Sequence, residues 1–363
     1  MSILNIILLF FTAIAAIDRI FGSRLGLGGE FDRAFQLIGA MALSMIGMIV
    51  LAPALGVWLT PFFEAFYALM KIDPSIIPAS LFANDMGGAS LAIELAKDGS
   101  IGAFNAYVVS SMMGCVVSFT IPFSLGVTPK EKHKEMFLGF LFGIVTIPIG
   151  AFVAGLVLRL PLLALFLDLL PLILLSATIS TGLILAPDLC VRLFSAFGKL
   201  MTAMIMIGLL LSIVGYRLGD PILPDLDTLE NGAMICFNAA VTLSGAFPLM
   251  KVVGKLLDRP MSAFGKRIGI NGTAALALIP TLVTSATAFG MMRDMDKKGV
   301  VLNAAFAVSA AFVFGSHLAF TMAFDDAYVL SMTVGKLVAG LAAVALALLL
   351  YREKPIAQVT YEP

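Results

Sequence analysis

Charged side chains are scarce in this chain. Only 13% of its 363 residues are Asp, Glu, Lys or Arg, against 60% hydrophobic residues and a mean hydropathy of +1.03. Soluble domains average about 25% charged residues, so a soluble globular fold is excluded and a polytopic membrane protein is indicated. The formal net charge is zero and no basic run is dense, which excludes nucleic acid as a partner. Histidine is limited to His133 and His317, and the HExxH, GxSxG and Walker A patterns are missing, so hydrolases and ATP-driven pumps lack their machinery. Cys115, Cys190 and Cys236 stand alone in apolar surroundings with no metal-ligand spacing; they read as small buried hydrophobes, and no metal or cofactor is expected. Gly26-x-Gly28-Gly29 follows Arg24 in a polar loop and reads as a turn, not a nucleotide-binding fingerprint.

What the chain has is apolar runs of about 18–25 residues from end to end, each able to cross the roughly 30 Å hydrocarbon layer. The expected spans are 3–21, 35–57, 101–127, 136–158, 162–186, 194–216, 231–252, 300–323 and 328–350, with broken or polar-interrupted segments at 61–96 and 268–292. The first run, Ile3 to Ile17, lacks a basic leader and a cleavage site, so it reads as a retained span. The fold expected is all-α and polytopic, about ten transmembrane helices plus re-entrant segments in one transmembrane domain over 1–363.

Three patterns recur in the same order in the two halves. Phe35-x3-Gly39-x5-Met45-Ile46 is echoed by Phe194-x3-Gly198-x5-Met204-Ile205, Gly114-x4-Phe119-Thr120 by Gly315-x4-Phe320-Thr321, and Gly150-x2-Val153-Ala154-Gly155-Leu156 by Gly335-x2-Val338-Ala339-Gly340-Leu341. They suggest repeats over 35–158 and 194–350. If 61–96 crosses once net and 268–292 enters and leaves on one side, there are ten crossings. Most loop Lys and Arg then share a side, and the positive-inside rule places that side and both termini in the cytoplasm of a bacterial cell, with the chain in its inner membrane. The repeats would be inverted, a plan that puts the solute site near the midplane where two discontinuous segments face each other.

The residues that could carry transport cluster at those segments. Asn84, Asp85, Gly87 and Gly88 set a carboxylate and an amide beside a glycine pair in an apolar stretch, and an intramembrane Asp marks a site unless it merely caps a helix. Such a group suits an ammonium. Ser110 and Ser111 could hydrogen-bond a polar solute, or simply serve helix packing. Thr281, Thr284, Ser285 and Thr287 put four hydroxyls in the second broken segment, although Thr often bonds only its own helix. Ser316 and His317 lie opposite, with His317 able to relay a proton or to be a satisfied core residue. Lys336 and Asp168 read as structural ion-pair or coupling candidates.

The chain resembles the bacterial ethanolamine utilisation permeases, the EutH-type transporters. The resemblance rests on Asp85-Met86-Gly87-Gly88, Ser111-Met112-Met113-Gly114, Gly143 to Gly150, Phe289-Gly290-Met291-Met292, Asn303 to Phe312, Gly315-x-His317-Leu318 and Val334-Gly335-Lys336-Leu337. It implies an integral membrane protein of ethanolamine uptake, and it brings Asn303 among the candidates. Two places depart from the pattern. Thr284-Ser285-Ala286-Thr287 stands where the family has Asn-Asn-Ile-Pro, and Ser316 where an Asp precedes the His-Leu pair.

The function expected is a permease for ethanolamine or a similar amino alcohol, with proton or sodium coupling left open and a homo-oligomer compatible. The alternative is a secondary transporter of another small polar metabolite, such as an amino acid, amine or carboxylate. A membrane-embedded enzyme or sensor is the remote third reading, since a base–nucleophile pair is wanting and the tail from Tyr351 to Pro363 is short for an output domain.

Overall fold

A computed structural model describes residues 3–351; the tail beyond them, read above as too short for an output domain, lies outside the described residues. All secondary structure among the described residues is helical. In chain order the elements are α1 (Ile3–Ile20), α2 (Leu27–Met70), the short α3 (Ile76–Leu81) and α4 (Gly88–Leu95), α5 (Gly99–Val127), α6 (Lys130–Val157), α7 (Leu162–Leu185), α8 (Pro187–Leu218), α9 (Leu229–Ile268), the short α10 (Gly272–Thr281) and α11 (Ser285–Met291), the half-helices α12 (Lys297–Ala310) and α13 (Ser316–Phe324), and α14 (Asp326–Leu350). Eight of these are long and apolar enough to cross a bilayer. Their outward faces keep large aliphatic side chains exposed, as with Leu162, Leu163, Phe166 and Leu174 on α7, because lipid rather than water is their solvent.

Both short pairs are re-entrant hairpins closed at the base. Asp73, just before α3, accepts hydrogen bonds from the backbone N–H groups of Lys97 (2.9 Å) and Asp98 (2.8 Å), just after α4. Asn271, just before α10, donates its backbone N–H to Asp296 (2.9 Å) and its amide to the Asp294 carbonyl (2.7 Å), just after α11. The bases lie on opposite faces of the bundle. α5 leaves the first base and runs its 29 residues to Thr128, while Lys132 beyond it reaches the Met295 carbonyl at the second base (2.7 Å).

The first hairpin therefore does not make the net passage expected of 61–96. The broken pair α12–α13 makes one crossing, so the total is odd rather than ten. Asn5 bonds Asp326 (3.3 Å), which sets the start of α1 beside the start of α14, and the 25-residue α14 then carries the chain to the other face. The first and last described residues consequently lie on opposite sides, which corrects the expectation of two termini together. The same threading sharpens the charge division. Among the described residues, the face at the first hairpin base has only Lys71, Lys97, Arg159 and Arg217 as basic groups, beside Glu64, Asp98, Asp220, Asp225, Asp227, Asp325 and Asp326. The remaining Lys and Arg among the described residues, Lys336 excepted, sit toward the opposite face, called the basic face below.

Two of the three recurrent patterns now have a physical reason. A Cβ at Gly114 of α5 would overlap the Phe82 carbonyl of the first hairpin, and one at Gly315 would overlap the Val283 carbonyl of the second. Each glycine lets a hairpin tip lie backbone to backbone on a crossing helix. Gly150 and Gly335 pack directly against each other where α6 crosses α14. The Phe35 and Phe194 patterns fall instead on α2 and α8, which both run away from the basic face, so they are not inverted copies. The expected span 300–323 is also not continuous. It breaks at 311–315, where Phe312 has φ +63° and the N–H groups of Phe312 and Phe314 donate to Thr281 (3.3 Å) and Leu282 (2.8 Å) of the second tip.

Gly114→Val or Gly315→Val should lower stability by about 1–3 kcal/mol through overpacking, seen as a lowered melting temperature in detergent, whereas Gly29→Ala, which meets open space, should not. In a cysteine-free background, Ser100→Cys and Lys297→Cys should be labelled by an impermeant thiol reagent from opposite sides. Labelling of both from one side would overturn the threading.

Candidate functional site

The two hairpin tips meet at a cavity of about 450 Å³. Asp85 and Met86 come from the first tip, Val283 and Thr284 from the second, Ser316 and His317 from the start of α13, Cys115 and Phe119 from α5, and Met41, Ser44 and Met45 from α2. Arg33 stands at its mouth. Arg33, Phe247, Val283 and Thr284 are shared with a vestibule of about 240 Å³ that continues past Glu30, Lys251 and Asp258, so the cavity opens toward the basic face. A pocket of about 220 Å³ on the opposite face, lined by Ser90, Glu94, Tyr107 and Asp227, shares none of these residues.

The first tip is bent by sequence. Phe82 and Ala83 are extended, Asn84 to Met86 form a single 3₁₀ turn, and Gly87 at φ +90° reverses the chain into α4. Gly88 is needed because a Cβ there would strike the Phe82 and Ala83 carbonyls. The freed Ala83 N–H is taken by the Ser118 hydroxyl at 3.0 Å. At the second tip Thr284 caps α11, its hydroxyl accepting from the Ala286 N–H at 3.3 Å.

Asp85 is the one carboxylate at the tips, its side chain 18% exposed and turned to the cavity. Its carboxyl shares the cavity lining with Ser316 and lies 3.8 Å from His317 Nε2. On the far side of the imidazole, Lys336 Nζ contacts His317 Nδ1 at 3.1 Å and donates to the Ser111 carbonyl at 2.5 Å. Sequence reasoning singled out all three residues and paired Lys336 with a carboxylate in general, but it did not foresee the imidazole between them. The GxHL spacing and the lysine lie on different helices, and nothing in either announces the other.

The other candidates divide. Asp85, Thr284, Ser316 and His317 line one cavity, and Thr287 lines only the vestibule. Ser110 and Ser111 are buried away from it, their hydroxyls bonded to the Ala106 and Val108 carbonyls of their own helix. Ser285 is buried without a partner for its hydroxyl. Asn84 is fully buried behind the tip, its amide reaching Thr321 Oγ1 at 3.4 Å. Asn303 holds the second hairpin by donating to the Ala274 carbonyl (2.9 Å). Asp168, 3% exposed, lies near the first hairpin base and accepts from Asn105 (3.1 Å), which also donates to Ser75 (2.9 Å). Asn105 was not among the candidates, although Asp98-x6-Asn105 repeats the Asp296-x6-Asn303 spacing and could have drawn notice.

The family model described as "Ethanolamine utilisation protein, EutH" matches residues 1–350. The chain belongs to the EutH family. It is 40% identical over 344 residues, 95% of this chain and 92% of the relative, to a Listeria monocytogenes protein named probable ethanolamine permease EutH. A Salmonella typhimurium protein of the same name is 33% identical over 99% of this chain and 98% of its own. A Bacillus subtilis relative, named uncharacterized protein YxeR, is 38% identical over 94% of this chain and 92% of its own. No solved structure matches. The family and the eight apolar spans make this a multi-pass membrane protein of a permease family.

Thr321→Val should cost about 1–3 kcal/mol by stranding the buried Asn84 amide. Thr287→Ala, exposed in the vestibule, should stay within about 0.5 kcal/mol of the native protein. Thermal unfolding in detergent would distinguish the two.

Proposed function

We propose that the protein is a permease for ethanolamine or a closely similar small amino alcohol, bound where the two hairpin tips meet. The observation that carries this reading is the placement of one carboxylate, Asp85, in an otherwise largely apolar cavity fed by both broken segments. Ethanolamine carries an ammonium and a hydroxyl two carbons apart. Asp85 offers the ammonium its counter-charge, and the rings of Phe119 and Phe312 line the same space, where a cation gains from aromatic faces. The hydroxyls of Thr284 and Ser316 are within the same lining and can meet the alcohol. Ser110 and Ser111 are engaged with their own helix and do not face this space. The names of the relatives support the substrate class.

By the positive-inside rule the basic face is cytoplasmic, which puts the start of α1 outside and the end of α14 inside a bacterial cell membrane. The cavity is then open inward. The acidic outer face favours approach of a cation. The two antiparallel hairpins, one seated on Gly114 of α5 and the other on Gly315 between α12 and α13, support an inverted-repeat plan in which α2 corresponds to α9 rather than to α8.

A second reading has one observation in its favour: about 450 Å³ is roomier than so small a solute needs, and hydroxyls replace the amides of the family pattern at the second tip. That reading is another small amine or amino acid at the same carboxylate.

Reconstituted vesicles loaded with unlabelled ethanolamine should take up labelled ethanolamine by counterflow at acidic pH, where passive leak of the neutral base is least. Asp85→Asn should reduce that uptake by roughly ten-fold or more, while Ser110→Ala should leave it near native. No counterflow by the native protein at any pH would remove the substrate. Equal counterflow by Asp85→Asn would remove the carboxylate from its role.

A further inference from the structure

We propose that the buried chain Asp85–His317–Lys336 holds one exchangeable proton, and that a cationic solute entering beside Asp85 expels it, so that the permease exchanges an organic cation for a proton. The inference rests on the permease reading above and deepens it.

Lys336 is 1% exposed in the middle of α14, yet nothing about the packing of α14 on α6 calls for an ammonium there. It is held by the Ser111 carbonyl of α5 and by His317 Nδ1 of α13. With Nδ1 accepting from Lys336, the imidazole carries its own proton on Nε2, the atom 3.8 Å from Asp85 Oδ1. The chain thus leads from a buried lysine, through a ring that can pass a proton, to the carboxylate in the cavity. It passes through the first turn of α13, just after the helix break at 311–315, where His317 faces the first tip.

The titratable groups turned toward Lys336 are Asp85 from the first tip, Cys115 from α5 and His317 from α13. α6 and α12 have none in their membrane-spanning length, and Arg33 stands at the cavity mouth. The empty site is therefore balanced, one carboxylate against one ammonium. A second cation would leave an unpaired positive charge deep in the protein, which is costly. Balance returns if the proton leaves. One Nζ–H bond of Lys336 breaks as an Nδ1–H bond forms on His317, and the Nε2–H proton passes to water in the cavity that opens to the basic face. No electrons move. The solute's ammonium replaces that of Lys336 opposite Asp85, and solute release reverses the step.

The test is ethanolamine binding to the purified full chain in detergent, by calorimetry in two buffers of different ionisation enthalpy at mildly acidic pH. Native protein should release about one proton per ethanolamine bound, read from the difference in heat. Lys336→Arg puts a cation that does not deprotonate at the end of the chain, and it should weaken binding by roughly ten-fold or more. A melting temperature close to native would show that this variant is folded; were it not, the native two-buffer measurement decides alone. Equal heats in the two buffers would overturn the exchange while leaving the substrate standing. Proton release retained in Lys336→Arg would also overturn it, because the proton would then come from the ligand. No binding by the native protein would sink both the substrate and the exchange.

Discussion

Backbone that leaves helical geometry inside a membrane must find hydrogen-bond partners in protein, because lipid supplies none. Three stretches of this chain do so near the same depth: the tips around Asn84 and Thr284, and the break before Ser316. Their solution is mutual. The second tip's Thr281 and Leu282 carbonyls accept from the N–H groups of the broken crossing, and the first tip's Ala83 N–H is met by Ser118. Gly114 and Gly315 allow these contacts because any side chain there would hold the backbones apart. Remove the mutual satisfaction and neither hairpin has a reason to stop halfway.

A consequence is that the polar groups of three unrelated stretches are forced together. Asp85, Thr284, Ser316 and His317 come from three elements far apart in sequence, yet each sits at or beside a helix end, where a turn frees the side chain to face inward. The helices behind them supply apolar wall, and the hydroxyls lodged mid-helix, such as Ser110 and Ser111, are consumed by their own carbonyls. Position relative to a break, more than residue type, decides which polar groups reach the cavity.

This explains what could be read in advance. Composition sufficed for the class, and clustered Gly, Asn, Asp and Thr marked both tips, because those residues are rare in lipid-facing helix. Three things were hidden. A re-entrant hairpin and a short crossing have the same hydropathy, so hydropathy reads 61–96 as a passage, whereas Asp73 holds Lys97 and Asp98 and returns the segment to the face it left. The break at 311–315 reads Ala-Phe-Val-Phe-Gly, apolar and free of proline, and looks like helix. The Phe35 and Phe194 patterns fall on helices that run the same way, and only chain direction reveals it. Asp168 looked like a site candidate because an acid in a span is conspicuous, whereas its partner Asn105 is not.

The burial of Lys336 against His317, with Asp85 beyond the ring, is hard to justify as structure alone. An ion pair taken from water loses solvation that its own attraction does not reliably return, and well-packed hydrophobic replacements often hold a core as well or better. On either side of Lys336, α14 packs through Gly335 and Ala339 against Gly150 and through Gly340 against Phe306 and Ala310, contacts that need no charge nearby. Had stability been the sole demand, a methionine would serve there. The groups are also not sealed away: Asp85 and His317 line a cavity continuous with one face, so the pair is within reach of any solute that enters. A buried, balanced pair that faces an open cavity is poised to trade one of its charges for another.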